Sequence, residues 1–150
     1  MAIKVTLAKA HQSQLDDVEI KKELCSVEAE LNKVELPFQK DTINFVFIKG
    51  MYLNSEKKML TACLFVNKMD KPITELHGVL RLGFKNRKAQ IAKTTVDFDA
   101  PFLGTLNPEE ALLVHLGIPV KGLSEDENFV ISDISVSYTH LRAHETTLHL

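Results

Sequence analysis

The spacing of apolar residues divides the chain into two parts. Near the start they recur at steps of four and three residues, with Lys, Glu and Asn between them. These residues are Ile20, Leu24, Val27, Leu31 and Val34. This period places them on one stripe of an amphipathic helix, which we predict near residues 17–34. Asp16 or Asp17 would cap its start, and Pro37 would end it, because the residue before a proline is pushed out of the helical region.

After the helix the apolar period changes to two, which is the period of a β-strand. In Lys58–Asn67 both alternating sets are largely apolar, so both faces can be covered and we predict a central strand. Leu76–Phe84 has one apolar face, while His77 and Arg81 turn outward. The predicted strands lie near 43–50, 58–67, 73–84, 89–98, 111–118 and 129–136.

Short segments rich in Asn, Asp and Pro separate the apolar runs and supply the hydrogen bonds and fixed φ that turns need. About six strands joined by short loops favour a mainly β fold, an antiparallel immunoglobulin-like β-sandwich with the N-terminal amphipathic α-helix. The apolar stripe of that helix must be covered by something. We expect the sheet to cover it, because Pro37 turns the chain back toward the first strand. The alternative is an exposed stripe that docks a partner helix or a second copy.

Composition narrows the function classes. The net charge is −2, without the basic excess that nucleic-acid or anionic-membrane binding usually requires. The start has no apolar run typical of a signal peptide, and nowhere do some 18 apolar residues follow one another. We therefore expect a cytoplasmic protein with a protein partner, no nucleic acid and no membrane insertion. Cys25 and Cys63 are predicted to be small buried thiols in a reducing compartment.

The C-terminal segment contains three histidines and a glutamate. His140 and His144 have helical i, i+4 spacing, but His149 lies five residues after His144, off the face that a H-E-x-x-H site needs. Residues 136–146 (VSYTHLRAHET) instead resemble a translated transposase sequencing adapter. We expect the native chain to break off near Ser135, and residues 139–150 to pack loosely without metal geometry.

These patterns divide the chain into three parts. Residues 1–16 form an N-terminal lead, residues 17–135 a single sandwich domain with its helical lead-in, and residues 136–150 an adapter-derived tail. Residues derived from an adapter carry no information about the native fold.

Acidic residues elsewhere give two candidate sites. Asp97 and Asp99 point the same way from one strand, and Glu125–Asn128 is an acidic run before the last strand. A calcium site is one interpretation, but Ca²⁺ needs six or more oxygen ligands. We favour a solvated strand face and a solvated loop.

Basic residues cluster around one hairpin tip. They are Arg81, Lys85, Arg87, Lys88 and Lys93. A phosphate-binding patch is the alternative to a hairpin that discourages edge pairing, but stacking aromatics do not interleave with these residues. His11 and His115 are isolated in sequence, and no Ser, Cys or carboxylate partner can be assigned to His115.

Three segments resemble the SLAP domain of Bacilli. They are Leu36-Pro37, Phe65–Ile73 (FVNKMDKPI) and Leu103–Glu109 (LGTLNPE). The chain departs from the family pattern at Val66, where the family has arginine, at Phe38, where it has a second proline, and in having no Trp. The resemblance covers roughly Ile20 to Ile118 and implies a sandwich domain linked to an accessory Sec system for S-layer assembly.

Two classes of function follow from these observations. The first is a non-catalytic protein-interaction module, possessing no catalytic, cofactor-binding or metal-binding residues and connected by the resemblance to secretion or S-layer assembly. The alternative is a small-ligand-binding or enzymatic sandwich whose site is assembled from distant residues. A flat apolar or mixed patch beside an exposed sheet edge would favour the first class, and a deep pocket with convergent polar groups the second.

Overall fold

The computed structural model describes residues 3–33 and 38–145, with residues 137–145 as backbone alone. The strands are β1 Lys4–Leu7, β2 Ile43–Leu53, β3 Lys58–Asn67, β4 Ile73–Phe84, β5 Gln90–Ile91, β6 Thr94–Phe98, β7 Glu110–Lys121, β8 Glu127–Val130 and β9 Ile134–Glu145. The α-helices are α1 Val18–Lys33 and α2 Ala100–Leu103, and 3₁₀ turns lie at Lys9–Asp16 and Ile131–Asp133. The prediction of a mainly β fold with an N-terminal helix is confirmed.

Strand pairing builds two layers. The larger layer has the order β1-β7-β3-β2-β8, and the smaller has β9-β4-β6. The short strand β5 joins them, because Gln90 pairs with Gly83 of β4 and with Lys121 of β7. Among the described ladders only β1–β7 is parallel, and the others are antiparallel. The arrangement is that of a β-sandwich.

Strand β3 is a central strand, as its sequence predicts. It pairs with β2 on one side and with β7 on the other. On its inner face, Cys63 and Phe65 pack in one cluster with Leu76 and Leu80 of β4. On its outer face, Leu64 belongs to a second cluster that includes residues of α1. The alternating apolar sets of β3 therefore serve two different layers of packing.

Helix α1 lies on the outer face of the larger layer and is the lid that the sequence predicts. Val27 and Leu31 are buried there, and Ile20 and Leu24 pack beside them with partial exposure. Asp17 is the predicted cap, since its Oδ1 accepts a hydrogen bond from the Glu19 amide at 2.8 Å. Val34 and Pro37, the end of the predicted stripe and its stop signal, lie outside the described residues.

The same helix also protects the edge strand β1. The Ile3 amide donates to Asn32 Oδ1 at 2.9 Å, and the Val5 amide donates to Glu28 Oε1 at 2.8 Å. Unpaired backbone groups on an edge strand invite association with other chains, and these side chains occupy them. The sequence predicts no strand in this lead segment, because four residues are too few to establish a period.

Two of the predicted strands are interrupted. The segment near 89–98 divides into β5 and β6, and the segment near 129–136 divides into β8 and β9. Between β8 and β9 the Asp133 side chain accepts the Val130 amide at 2.8 Å and holds the 3₁₀ turn. An aspartate side chain that accepts a hydrogen bond from a nearby backbone amide in this way competes with strand pairing.

Strand β9 continues well past its predicted end. Its backbone pairs with β4 from Ile134 to Glu145. The expectation of a loosely packed segment from residue 139 is therefore wrong for the backbone of residues 139–145. The side chains of His140 and His144, and the whole of His149, lie outside the described part of the chain.

Candidate functional site

The outer face of the larger layer has a covered half and an uncovered half. Cross-strand pairing aligns Met51 of β2 with Leu60 of β3 and Asn128 of β8, and Leu60 with Gly117 of β7. The next row toward α1 holds Lys49, Ala62, His115 and Val130. We call the surface made by these two rows the bare end.

The bare end is apolar and open. Met51 is 48% exposed, Leu60 49% and Val130 55%. Leu64, four residues further along the same face of β3, is fully buried beneath α1. Together these rows line a broad groove of about 620 Å³. The strand pattern thus continues at the bare end, where none of the described helices covers it as α1 covers the other half.

Gly117 keeps the floor of the groove low. A Cβ built on Gly117 would lie 3.7 Å from Leu60 Cδ2, which is ordinary van der Waals contact. Gly50 is more crowded than Gly117. A Cβ built on Gly50 would point into the core and lie 2.8 Å from Met59 Sδ. The glycine at 117 is therefore not required by crowding, and among the described residues outside its chain neighbours only Leu60 comes within 4 Å of a Cβ built there.

A carboxylate of α1 marks the boundary between the two halves. Glu23 Oε1 lies 3.0 Å from His115 Nε2, and Glu23 Oε2 lies 3.9 Å from Lys49 Nζ. His115 therefore has a carboxylate partner, although none can be assigned to it from the sequence alone. The partner is 92 residues away in sequence, so no local motif connects the two. Glu23 does lie at helical spacing from Ile20 and Val27 of the stripe, which was the available signal.

The bare end also lies beside a sheet edge. Strand β8 carries Asn128 and Val130, pairs with β2, and is the last strand in the order of the larger layer. A mixed apolar and polar patch beside a sheet edge is the surface expected of an interaction module, whereas a deep pocket with convergent polar groups is expected of a ligand-binding protein or an enzyme.

The candidate calcium aspartates serve separate structural roles. Asp97 Oδ1 lies 2.5 Å from His77 Nδ1, whereas Asp99 accepts the Phe102 amide at 3.1 Å and caps α2. His77 also contacts Glu75 Oε1 at 3.2 Å. Hydrogen bonding to Glu75, and then the bond and charge of Asp97, raise the pKa of His77 against the opposing effect of desolvation.

The acidic run and the basic hairpin meet each other. Arg87 forms an ion pair with Glu127, and its guanidinium lies 5.4 Å from the centre of the Phe129 ring. Asp126 accepts the Asn54 amide at 2.8 Å. The Arg87 contacts tie the loop after β4 to β8, and the Asp126 bond ties the loop before β8 to the end of β2. Among the described side chains no cluster of His, Cys, Asp and Glu is arranged to hold a metal.

The two cysteines differ in environment. Cys63 is buried and its thiol donates to Thr61 Oγ1, and burial raises its pKa to about 12. Cys25 is exposed on α1, so the prediction of two buried thiols is wrong for that residue. Position 25 lies next to Leu24 but outside the apolar stripe, which explains the exposure.

His11 packs edge-on against the Phe102 ring at 5.1 Å.

Two of the segments that carry the SLAP resemblance meet at one corner of the sandwich. The buried Asn67 side chain donates to the Leu106 carbonyl at 2.9 Å and to the Lys71 carbonyl at 3.1 Å, and accepts the Met69 amide at 2.9 Å. Ile73 and Leu106 exchange backbone hydrogen bonds beside it. These residues fix the turn between β3 and β4, which is a structural role.

The chain has no match among protein-family models, curated proteins or solved structures. In the part of the chain that the structure describes, no helix is both long and apolar enough to cross a membrane.

Proposed function

We propose that the chain is a non-catalytic protein-interaction module that docks a partner protein on the bare end. The observation that carries this proposal is the exposure of Met51, Leu60 and Val130 on a face that is otherwise sealed by α1. Exposed apolar groups that are contiguous and bordered by polar ones are typical of interaction sites. The partner would complete the cover that the helix begins.

Removing the exposed apolar side chains of the bare end from water would favour association. Burying a large aliphatic side chain is worth roughly 1.5–3 kcal/mol, and three such groups are half exposed here. The polar groups around them, Lys49, His115 and Asn128, form a rim of the kind that surrounds interface cores. A partner gains the apolar contacts while the rim stays partly solvated.

A small apolar ligand is the second candidate, because a groove of about 620 Å³ falls in the size range of ligand sites. An enzyme would need converging polar groups in this groove. His115 is instead oriented sideways to Glu23 of α1, and the groove floor is Gly117 and Leu60. The geometry therefore favours binding over catalysis.

The resemblance to the SLAP domain adds a biological setting to the proposal. Phe65–Ile73 and Leu103–Glu109 support an accessory role in secretion or S-layer assembly. In this setting the partner would be a component of such a system. This part of the proposal depends on those sequence motifs, whereas docking at the bare end depends on the exposed side chains.

Site-specific photo-crosslinking tests the docking. A benzophenone amino acid is placed at Met51, at Val130, or at the exposed Thr95 of β6 as the control, in the cells that produce the protein. We expect the same protein adduct from positions 51 and 130 and not from position 95. Adducts of equal yield at all three positions, or small-molecule adducts alone at 51 and 130, would contradict the proposal.

A further inference from the structure

We infer that the first half of β2 is a second docking site, where one extended, uncharged segment of another protein adds to the sheet. This site is separate from the bare end, because it consists of a strand edge and the groove between the two layers. The inference follows from backbone groups that no described strand pairs, and from the apolar groove beside them.

Strand β2 is paired along its length on one side only. It pairs with β3 over Ile43–Leu53, whereas β8 pairs only with Lys49–Tyr52. After Val130 the chain leaves the larger layer through the 3₁₀ turn Ile131–Asp133 and enters β9 of the smaller layer. Among the described strands, none therefore lies beside Ile43–Phe47 on the side away from β3.

The protein caps other edges of the larger layer but not this one. Side chains of Asn32 and Glu28 accept amides of β1, and the side chain of Asp133 accepts the Val130 amide of β8. Alternate residues of an antiparallel strand direct their N–H and C=O groups to opposite sides. Within Ile43–Phe47 the groups directed away from β3 have neither a strand nor a capping side chain among the described residues. Such an edge is a template for an added strand.

An apolar groove of about 380 Å³ lies beside the same edge. Phe45 and Phe47 of β2 line one side of it, and Ile131 and Ile134 line the other. Phe47 and Ile134 are buried in one cluster of the inner core, while Phe45 is only partly buried and Ile131 is 44% exposed. Apolar side chains at alternate positions of an added strand would cover Phe45 and Ile131 and continue this core.

These features select the occupant. A helix pairs its own N–H and C=O groups internally and would leave the β2 edge unpaired, whereas an extended segment pairs it. Among the described residues that line the groove none is charged, so a charged side chain buried there would have no partner of opposite charge. The segment spans about 17 Å opposite Ile43–Phe47, at about 3.4 Å per residue. A second copy would have to bring an edge strand, with the strands beside it, between β2 and Ile131.

A short synthetic peptide of alternating valine and threonine provides the test. Two further versions carry N-methyl groups, one on its valines and one on its threonines, which removes the backbone donors along one edge of the peptide. Amide shifts of the whole chain measure binding and locate it. We expect the parent peptide to shift the amides of residues 43–47, and at least one methylated version to bind at least about tenfold more weakly. Equal binding of all three peptides, or no binding, would overturn the inference.

Two variants of one turn locate the effect. Ile131→Asp places a charge on the side of the groove and should weaken binding of the parent peptide at least about tenfold. Ser132→Asp adds the same charge at the next, exposed position and should leave binding unchanged. Cooperative thermal unfolding shows that both variants are folded. If Ile131→Asp does not fold, the methylated peptides still decide with the unmodified chain.

The remaining outcomes separate this site from other occupants and from the bare end. Equal peptide affinity in the two variants would show that the groove is not the binding site and would overturn the inference. A dimer in sedimentation that Ile131→Asp dissociates would overturn it in favour of a second copy. The photo-crosslinks at Met51 and Val130 report on the bare end, so either site can fail while the other stands.

Discussion

The two halves of the outer face are made by the same strands but differ in what covers them. In the covered half Leu64 and Leu113 are buried beneath α1, whereas in the bare end Leu60 is half exposed above Gly117. The alternation of apolar residues along β3 does not change between the halves. Burial on this face is therefore determined by the position of the helix, and an apolar strand position does not by itself indicate a core residue.

The largest difference in the free energy of unfolding should be between a leucine-to-alanine substitution in the covered half and the same substitution in the bare end. Leu64→Ala should lower the free energy of unfolding by roughly 2–5 kcal/mol through lost burial and a cavity. Leu60→Ala, on the same face of the same strand, should change it by roughly 0.5 kcal/mol or less. Urea denaturation of both variants measures the difference, and similar losses would mean that the bare end is covered in solution.

The helix can be tested in the same way. Leu31→Ala should destabilise the protein by roughly 2–5 kcal/mol because Leu31 is buried against the sheet. Leu24→Ala should cost roughly 1–2 kcal/mol, since Leu24 is only partly buried. Chemical denaturation again provides the measurement. Unchanged stability in both variants, together with a loss of partner binding, would contradict the lid and make α1 the interaction site.

The contacts of Glu23 at the boundary between the halves should contribute less to the free energy of unfolding. Glu23→Gln removes the carboxylate shared by His115 and Lys49 and should lower stability by roughly 0.2–1 kcal/mol at low salt, decreasing as salt is added. Glu30→Gln, on the exposed side of the same helix, is the matched control and should have a smaller effect. A salt-independent loss in Glu23→Gln would show that its contacts are not electrostatic.

The outer face of the smaller layer offers a polar counterpart to the bare end. His77 there is held by Glu75 and Asp97, which raise its pKa. This stabilisation is fully present below the unfolded-state pKa of about 6.5 and is lost as pH rises through the higher folded-state value. Stability measured between pH 5.5 and 8.5 should fall more in the wild type than in His77→Gln. Parallel curves would contradict the assignment.

The periodic parts of the sequence predicted their elements well. The stripe from Ile20 to Leu31 identified α1, and the period of two identified β3 and β4 with their observed bounds. Strand β1 was not predicted because it has four residues, and it depends on α1 for partners along one edge. The break between β8 and β9 depends on one side-chain bond from Asp133, which leaves no periodic trace in the sequence.

The candidate site could not be predicted in the same way. Leu60 and Leu64 fall in register along one strand face, so nothing local indicates that one is buried and the other exposed. The pairing of Glu23 with His115 joins positions 92 residues apart and needs the packing of α1 on β7. The sequence does not show that Gly117 lies at the floor of a groove, because this depends on residues of the neighbouring strands.

Strand β7 has a consequence for how the chain is synthesised and folded. It lies at residues 110–121, yet it pairs with β1, β3 and β5, which all leave the ribosome before it. Until β7 is available, β3 lacks a neighbour on one edge while both of its faces are apolar. Nascent chains that end before residue 121 should therefore associate with chaperones, because exposed apolar strands without partners aggregate readily. The centre of the larger layer should therefore form only when β7 inserts between β1 and β3, and β8 pairs with β2 later still, with contacts distant in sequence forming late.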